Sequence, residues 1–231
     1  MQEPHPHNTD EPSTSPLQSG NKYPPVKRQG MVLVVSAPSG GGKHAVLSQV
    51  RKRDASLKYV VSATTRPPRP DERGGVDYHF LTKEAFEAQI EAGAFAEWAE
   101  VHGNYYGTPL SELQESMAAG RDTVLEIDVQ GMRQIKQTSL EPVTAFIMPP
   151  SLEILRDRLE RRGADEPSEM SLRLANAREE MAAWREFDYV IVNDILAEAV
   201  KDLEAIIRAE RRRSVRMKIE KELKNHENSL P

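Results

Sequence analysis

The sequence predicts an α/β fold in which helices flank a parallel β-sheet. Four apolar runs, rich in β-branched residues, recur along the chain at 31–36, 123–128, 143–148 and 188–193. Continuous runs of this kind are typical of strands that are covered on both faces. Segments with helical periodicity separate the runs. This alternation is typical of βαβ units, which build parallel sheets.

The region 62–110 has a different texture and predicts a small inserted α+β unit. The strand-like pieces VDYHF and AFAEWAEVH surround the helix-like TKEAFEAQIEAG, whose final glycine is typical of a helix end. Residues 151–181 read as an Arg-dense pair of helices separated by a turn that contains Gly and Pro. The remaining segments form the predicted core of the domain, at 30–61, 111–150 and 182–208.

The two ends of the chain differ from this domain in composition. Residues 1–29 are rich in Pro, Ser, Asn and Gln and poor in large apolar groups, so we expect a disordered tail. His5 and His7 lie in this tail, but without a further ligand nearby a solvated tail is favoured over a metal site. Residues 209–231 are predicted to form a charged helix and tail. Basic runs such as RAERRRSVRMK are usually solvated helix faces.

The composition is that of a soluble globular protein, with 38% hydrophobic and 29% charged residues. The formal net charge of −5 argues against a general nucleic-acid binder, and no apolar run approaches the roughly 18 residues that cross a bilayer. The chain has no cysteine, which fits a reducing compartment, and its N-terminus lacks the features of a secretory signal. We therefore expect a cytoplasmic protein of unknown oligomeric state.

A glycine-rich loop within SAPSGGGKHAVL follows the first apolar run and precedes a helix-compatible segment. Gly40, Gly41 and Gly42 let backbone N–H groups turn toward an anion, and the helix N-terminus adds partial positive charge. Lys43 supplies a mobile cation for outer phosphates. We therefore predict a phosphate-binding loop. His44 stands where such loops commonly carry a magnesium-binding hydroxyl, and imidazole is a poor substitute for that oxygen.

The next segment, SATTRPPRPDERGGVDYHF, places Arg66, Arg69 and Arg73 in a stretch stiffened by prolines. Arginine forks bind phosphate oxygens bidentately, and proline lowers the entropy lost on holding them in place. Two other interpretations stay open for these residues alone. The segment also fits a solvated loop, or a PxxP ligand that presents Pro67 and Pro70 to an SH3-type partner.

Four further side chains have both a structural and a functional interpretation. Tyr105 and Tyr106 lie between glycines and could be core aromatics. Glu97 could be an ordinary outward-facing strand residue. Asp128 ends an apolar strand, where phosphate-loop proteins commonly place the carboxylate that serves magnesium or its waters, and a turn-initiating Asp is the alternative.

Together these stretches resemble the guanylate kinase family over about residues 31–208. The supporting stretches, in the family's order and spacing, are SAPSGGGK, VSATTRPPRPDERGGVDYHF, EWAEVHGNYYGTP, EIDVQG, PPSLEILRDRLERRG and DYVIVND. Other nucleoside monophosphate kinases are not expected to share the TTRPPRP to GNYYGT region. The resemblance implies a P-loop NTPase-type core, a GMP-binding unit at 62–110 and a mobile helical lid at 151–181. It implies phosphoryl transfer from ATP to GMP, in guanine nucleotide synthesis and recycling.

The resemblance also implies roles for individual residues. For GMP, it assigns the phosphate to Arg66, Arg69, Tyr78 and Tyr106, and guanine to Ser62, Glu97, Thr108 and Asp128. For ATP, it assigns Ser39, Gly40, Gly41, Gly42, Lys43, Arg158 and Asn193. The implied catalytic cations are Lys43, Arg162 and Arg173, and Mg²⁺ is served by Asp128 directly or through water. The implied partners are the small molecules GMP and ATP, with no nucleic acid and no membrane.

The sequence departs from the family at His44 and Ala45, where a hydroxyl is usual at one or both positions. We expect a water to take the place of the missing hydroxyl, because magnesium often keeps several waters. One alternative function is a catalytically weakened module that binds a protein partner, although such modules generally lose the loop lysine and lid arginines that this chain retains. Another is a kinase for a different nucleotide, in which Glu97 and Asp128 would serve another base.

Overall fold

The computed structural model describes residues 27–101, 103–161 and 167–218. In chain order its strands are β1 (Val32–Ser36), β2 (Leu57–Lys58), β3 (Ala63–Thr64), β4 (His79–Phe80), β5 (Phe95–Val101), β6 (Asn104–Pro109), β7 (Asp122–Glu126), β8 (Val143–Met148) and β9 (Tyr189–Val192). Its helices are α1 (Lys43–Arg53), α2 (Lys83–Glu91), α3 (Leu110–Ala118), α4 (Val129–Lys136), α5 (Leu152–Glu160), α6 (Pro167–Ala182) and α7 (Leu196–Glu210).

The core is a five-stranded parallel sheet in the order β2-β7-β1-β8-β9. The four predicted apolar runs form β1, β7, β8 and β9, so the prediction of a parallel sheet is confirmed. Helices α1 and α7 bury their apolar side chains on one face, and α3 and α4 bury theirs on the other. Strand β1 lies at the centre and is fully buried, as its continuous apolar sequence predicts.

A second, four-stranded sheet in the order β4-β3-β6-β5 lies between β2 and α3 in the chain. Helix α2 packs on it through Phe86, whose ring stacks on Phe95 with centroids 4.3 Å apart. The helix begins at the Thr82 cap and ends before Gly93, which has φ +65° as the predicted helix stop requires. Of the predicted strand VDYHF, only β4 is a strand, because the residues before it form a turn.

Helices α5 and α6 form the Arg-dense helical segment. They share a small apolar cluster of Leu155, Leu159 and Ala177, against which Met170 and Leu174 pack. The predicted Gly-containing turn between the two helices falls largely on residues 162–166, which lie outside the described part of the chain.

At both ends of the domain, the boundaries in the structure differ from those predicted from the sequence. Arg28, assigned to the tail, pairs with Met217 in an antiparallel bridge and forms an ion pair with Asp122. Helix α7 ends at Glu210, and the chain then turns into a short 3-10 helix at Ser214–Arg216 instead of continuing as the predicted helix. The predictions for residues 1–26 and 219–231, including His5 and His7, lie outside the described residues. Among the described helices none combines the length and apolarity that a bilayer crossing needs.

Candidate active site

The glycine-rich loop runs from the end of β1 into the first turn of α1, at the carboxyl edge of the parallel sheet. Ligands of open α/β sheets bind at this edge. Gly42 has φ +93° and packs so closely on Asn193 that a Cβ at position 42 would collide with the Asn193 Nδ2 atom. That amide donates a hydrogen bond of 3.0 Å to the Gly41 carbonyl. The loop is therefore held from behind by the segment that follows β9.

Lys43 extends from the loop to the end of β7. Its Nζ donates a hydrogen bond of 3.0 Å to the Ile127 carbonyl. Burial lowers the pKa of Lys43, while Glu126, Asp128 and Glu180 act in the opposite direction through their negative charges. A part-buried ammonium that has one hydrogen bond among the described residues and lies near carboxylates is suited to receive phosphate oxygens.

The His44 side chain is not buried in the loop, where a magnesium-binding hydroxyl is usual. Its side chain is 82% exposed, and its Nδ1 lies 3.4 Å from Glu126 Oε2. The imidazole therefore points from α1 toward the end of β7, and it faces solvent and a carboxylate. Ala45 follows it in α1 and has no side-chain oxygen.

Glu180 of α6 reaches the phosphate loop, which the sequence interpretation did not foresee. Its Oε2 accepts a hydrogen bond of 3.1 Å from the backbone N–H of Ser39. Burial raises the pKa of Glu180 and Asp128 adds to this effect, while the Ser39 bond and Lys43 oppose it. A carboxylate thus occupies one of the backbone donors that the resemblance assigns to ATP.

Glu97 and Thr108 form a buried polar pair on the neighbouring strands β5 and β6. The residues are 8% and 1% exposed, and Thr108 Oγ1 donates a hydrogen bond of 2.5 Å to Glu97 Oε1. Burial raises the pKa of Glu97, the Thr108 bond opposes this, and Asp128 adds to it. Glu97 Oε2 lies close to Gly131 at the start of α4. The structure therefore rules out the interpretation of Glu97 as an outward-facing strand residue.

Arg66 lies in a cage of aromatic and acidic side chains. Its two Nη atoms donate to both carboxylate oxygens of Glu72, at 2.7 and 2.5 Å, and its Cζ lies 5.1 Å from the centre of the Tyr78 ring. Tyr106 is an electrostatic neighbour of Arg66 and packs edge-on against Tyr78. Three of the predicted phosphate-binding residues, Arg66, Tyr78 and Tyr106, are thus together.

The other predicted GMP-binding residues lie around these two groups. The Ser62 carbonyl accepts a hydrogen bond from the His79 N–H, at the junction of β3 and β4. Arg69 is exposed, and its backbone N–H donates 2.8 Å to Glu72. Tyr105, by contrast, stacks on Phe86 with centroids 5.3 Å apart, so the core-aromatic interpretation holds for this tyrosine.

The predicted lid arginines have different surroundings. Arg158 donates from one Nη atom to the Asn193 carbonyl at 2.9 Å, and its other Nη atom is buried without a partner among the described residues. An unpaired buried donor is costly and is commonly satisfied by a ligand. Arg173 lies exposed on α6, and Arg162 falls outside the described residues. Asn193 is bound to the loop and to β8, which is a structural role that the sequence did not predict.

The first turn of α4 connects the two halves of the site. Asp128 caps this helix by accepting 2.8 Å from the Gly131 N–H, and its charge acts on both Lys43 and Glu97. A cavity of about 520 Å³ lies between this turn and α6, lined by Asp128, Arg133 and Glu180 among others. The first turn of α4 and helix α6 therefore border one space.

Sequence reasoning missed Glu72 and Glu180 as members of the site. Glu72 lies six residues after Arg66 in a charged loop, and Glu180 lies on a helix that carries many charges. Neither has a local pattern that separates it from a solvated acid. Only the fold brings each carboxylate to a cation or a backbone N–H.

Comparisons with known proteins agree with this geometry. A family model described as "Guanylate kinase" matches residues 29–210. The guanylate kinase of Carboxydothermus hydrogenoformans is 48% identical over 183 residues, which cover 79% of this chain and 90% of that protein. The guanylate kinase of Symbiobacterium thermophilum is 46% identical, with coverage of 83% and 91%. The crystal structure of guanylate kinase from Anaplasma phagocytophilum superposes with a TM-score of 0.65 at 33% identity, covering 89% of this chain and 99% of that one.

Proposed function

The chain belongs to the guanylate kinase family and transfers a phosphoryl group from ATP to GMP, and we propose how its residues divide this work. The observation that carries the proposal is the first turn of α4. The Ile127 carbonyl before it binds Lys43, and Gly131 within it lies against Glu97. One short segment thus contacts both the cation for the ATP phosphates and the carboxylate for the guanine.

Glu97 and Thr108 read the guanine base, with Ser62 and Asp128 beside them. Thr108 fixes one carboxylate oxygen of Glu97, and the carboxylate then accepts from guanine N1–H and the 2-amino group. Adenine presents an acceptor at N1 and has no 2-amino group. Because the pair is buried, adenine would leave it without partners, and unpaired buried polar groups are strongly disfavoured.

Arg66, Arg69, Tyr78 and Tyr106 bind the phosphate of GMP. The guanidinium of Arg66 lies against the Tyr78 ring, which limits its rotamers before the substrate arrives. Positioning of this kind is the main contribution that a protein makes to phosphoryl transfer, since the reaction needs in-line geometry and charge stabilisation more than a covalent catalyst.

The loop Ser39–Lys43 binds the ATP phosphates, and Asn193 supports the loop. Arg158 supplies the N–H groups of its buried Nη atom, which has no partner in the described part of the chain. Lys43 exchanges its bond to the Ile127 carbonyl for phosphate oxygens and stabilises the transferred group. Arg162 and Arg173 approach the same phosphates from the lid. Closure of the lid excludes water that would otherwise hydrolyse ATP.

The donor set near Lys43 fits magnesium through oxygen ligands. Asp128 offers a carboxylate, and Glu126 offers a second one at the end of β7, which is the chemistry that Mg²⁺ prefers. The exposed ring of His44 adds no oxygen, so we propose that water supplies the ligand that a loop hydroxyl usually provides. When bound, magnesium neutralises charge on the transferred phosphoryl group.

The cytoplasm is the proposed location, supported by the absence of cysteine from the sequence. The substrates are small molecules. The net charge of −5 argues against general nucleic-acid binding. The cytoplasmic location and the absence of nucleic-acid binding remain predictions.

The first test is a coupled ADP-release assay with ATP, Mg²⁺ and GMP, run beside Lys43→Ala. We expect GMP-dependent turnover in the wild-type protein and a loss of at least about 100-fold in kcat in the variant, because one transition-state donor in a dry site contributes about that factor. In the same assay His44→Ser should change kcat by less than about tenfold if water serves in place of the hydroxyl.

Three results would contradict parts of this proposal. GMP binding without turnover would favour the protein-binding module over the enzyme. Efficient phosphorylation of AMP, tested beside GMP, would contradict the roles of Glu97 and Thr108. A gain of several hundredfold in His44→Ser would show that the wild-type loop is crippled rather than served by water.

A further inference from the structure

We propose that Glu72 is a positioning residue for GMP binding. Its carboxylate holds the Arg66 guanidinium in the orientation that receives the GMP phosphate. This inference rests on the proposed function of the small unit. Glu72 lies within the motif that carries Arg66 and Arg69, but the sequence analysis assigns it no role. Its role follows from three contacts that its carboxylate makes with these two predicted phosphate-binding arginines.

The first step is the geometry of the ion pair. Arg66 donates from its two Nη atoms to the two carboxylate oxygens of Glu72, and one Nη atom also donates 3.0 Å to the Pro67 carbonyl. These three bonds engage three of the five N–H groups of the guanidinium. The remaining two lie side by side on Nε and on the second Nη atom. These two N–H groups can still bind a phosphate bidentately, or they can bind it together with Tyr106.

The second step is that Glu72 also fixes the loop that carries Arg69. Its Oε2 accepts 2.8 Å from the Arg69 backbone N–H, in a turn where the Glu72 N–H donates 3.1 Å to the Arg69 carbonyl. One carboxylate therefore links the side chain of one predicted phosphate ligand to the backbone of the other. Loss of Glu72 would release both at once.

The third step concerns charge and surroundings. The side chains of Arg66 and Glu72 are 14% and 16% exposed, so the ion pair is partly shielded from water. The bonds from Arg66 and from the Arg69 N–H lower the pKa of Glu72 to about 2, so the carboxylate stays ionised across the physiological range. Tyr78 and Phe80 lie against the same guanidinium and close the cage.

The test compares the binding of GMP and of guanosine by calorimetry, in the absence of ATP, for wild type, Glu72→Gln and Asp71→Asn. Glutamine keeps the shape of Glu72 but turns an N–H group toward the Arg66 donors. We expect Glu72→Gln to weaken GMP binding about tenfold and to change guanosine binding less than about twofold, because only GMP has the phosphate. Asp71 is exposed in the same turn, and its variant should match wild type.

A second arm uses Arg66→Met as the background. If Glu72 acts through Arg66, adding Glu72→Gln to this variant should cost little further GMP affinity, so the two effects are not additive. In steady-state assays the KM for GMP should rise in Glu72→Gln, while kcat and the KM for ATP stay within about threefold of wild type.

The outcomes separate the inference from the function on which it rests. Failure of the wild-type protein to bind GMP would contradict the proposed function itself. Wild-type binding with an equal loss for GMP and guanosine in Glu72→Gln would show that Glu72 only stabilises the unit, and unchanged affinity would show that it does not matter. Tighter GMP binding would show that Glu72 competes with the phosphate, and each of these three results would overturn the inference.

Discussion

Glu97 places a carboxylate where water is nearly excluded, and this location has a cost for the folded protein. Its Thr108 bond satisfies one oxygen, but burial still raises its pKa. The ionised form of a carboxyl group whose pKa is raised on folding is less stable in the native state than in the unfolded chain. The carboxylate is therefore maintained for binding and not for stability.

Replacement of Glu97 by Gln should stabilise the protein while it weakens GMP binding. Glu97 has one pKa in the unfolded chain and a higher one in the folded protein. The penalty of burying its charge is absent at pH values below both, grows between them and is complete above the folded-state pKa. The gain should therefore be largest at neutral pH, at a few degrees in Tm, since about 1 kcal/mol moves the Tm of a domain of this size by roughly 2–4 °C. Thermal unfolding at neutral and acidic pH measures it.

Glu100→Gln is the matched control, because Glu100 lies exposed on the same strand β5. Its Tm should stay close to that of wild type at both pH values. A fall in Tm for Glu97→Gln at neutral pH would mean that the buried carboxylate is stabilising, contrary to the direction of its pKa shift.

At the scale of elements, the site is made by the ends of strands and the first turns of helices. Strand β1 delivers the loop to α1, and β7 delivers Asp128 to α4. The loop conformation then depends on a contact from elsewhere, since Gly42 lies against the Asn193 amide that binds the Gly41 carbonyl. The backbone of one element is thus shaped by a side chain that follows the edge strand β9.

Gly42→Ala should lower kcat with ATP and GMP by at least about tenfold, because a Cβ at this position both strains the left-handed backbone and collides with Asn193. Gly93→Ala separates these two causes. Gly93 is also left-handed, with φ +65°, but has open space around its Cβ position. That variant should lose about 1 kcal/mol of stability and keep its activity.

Steady-state kinetics and urea unfolding of the two variants give the comparison. Wild-type activity in Gly42→Ala would contradict the importance of the loop contact. Equal losses of activity in both variants would instead assign the effect to general destabilisation.

At the scale of the whole molecule, a buried carboxylate joins distant parts of the chain. The Asp122 side chain is completely buried at the start of β7 and accepts hydrogen bonds from Arg28, from Arg211 and from the Met31 N–H. Arg211 also pairs with Asp54 after α1. A buried carboxylate is tolerated only with such partners, so the segments before β1 and after α7 are part of the domain.

Arg28→Met should lower the free energy of unfolding by about 1–3 kcal/mol, because it removes two charge-assisted hydrogen bonds from a buried carboxylate that keeps only its other partners. Lys27→Met, at the exposed neighbouring position, should stay within about 0.5 kcal/mol of wild type. Urea unfolding measures both. Equal stability of the two variants would show that Arg28 belongs to a dispensable tail, as its composition alone suggests.

The parallel sheet, the phosphate loop with its helix, the helix stop at Gly93 and the residue types of the site can all be predicted from the sequence. These features depend on burial pattern, backbone freedom and charge, which neighbouring residues in the sequence set. The family motifs extended this to the function and to residues such as Glu97, whose local pattern alone allowed an ordinary strand position.

The contacts between groups that are distant in the sequence become visible only in the folded chain. It paired Glu72 with Arg66, brought Glu180 to the Ser39 N–H, set Asn193 behind the loop and made Arg28 part of the domain. None of these carboxylates, amides and guanidinium groups differs locally from a solvated side chain. Their roles depend on long-range packing that removes water from particular pairs, and one sequence does not record which pairs these are.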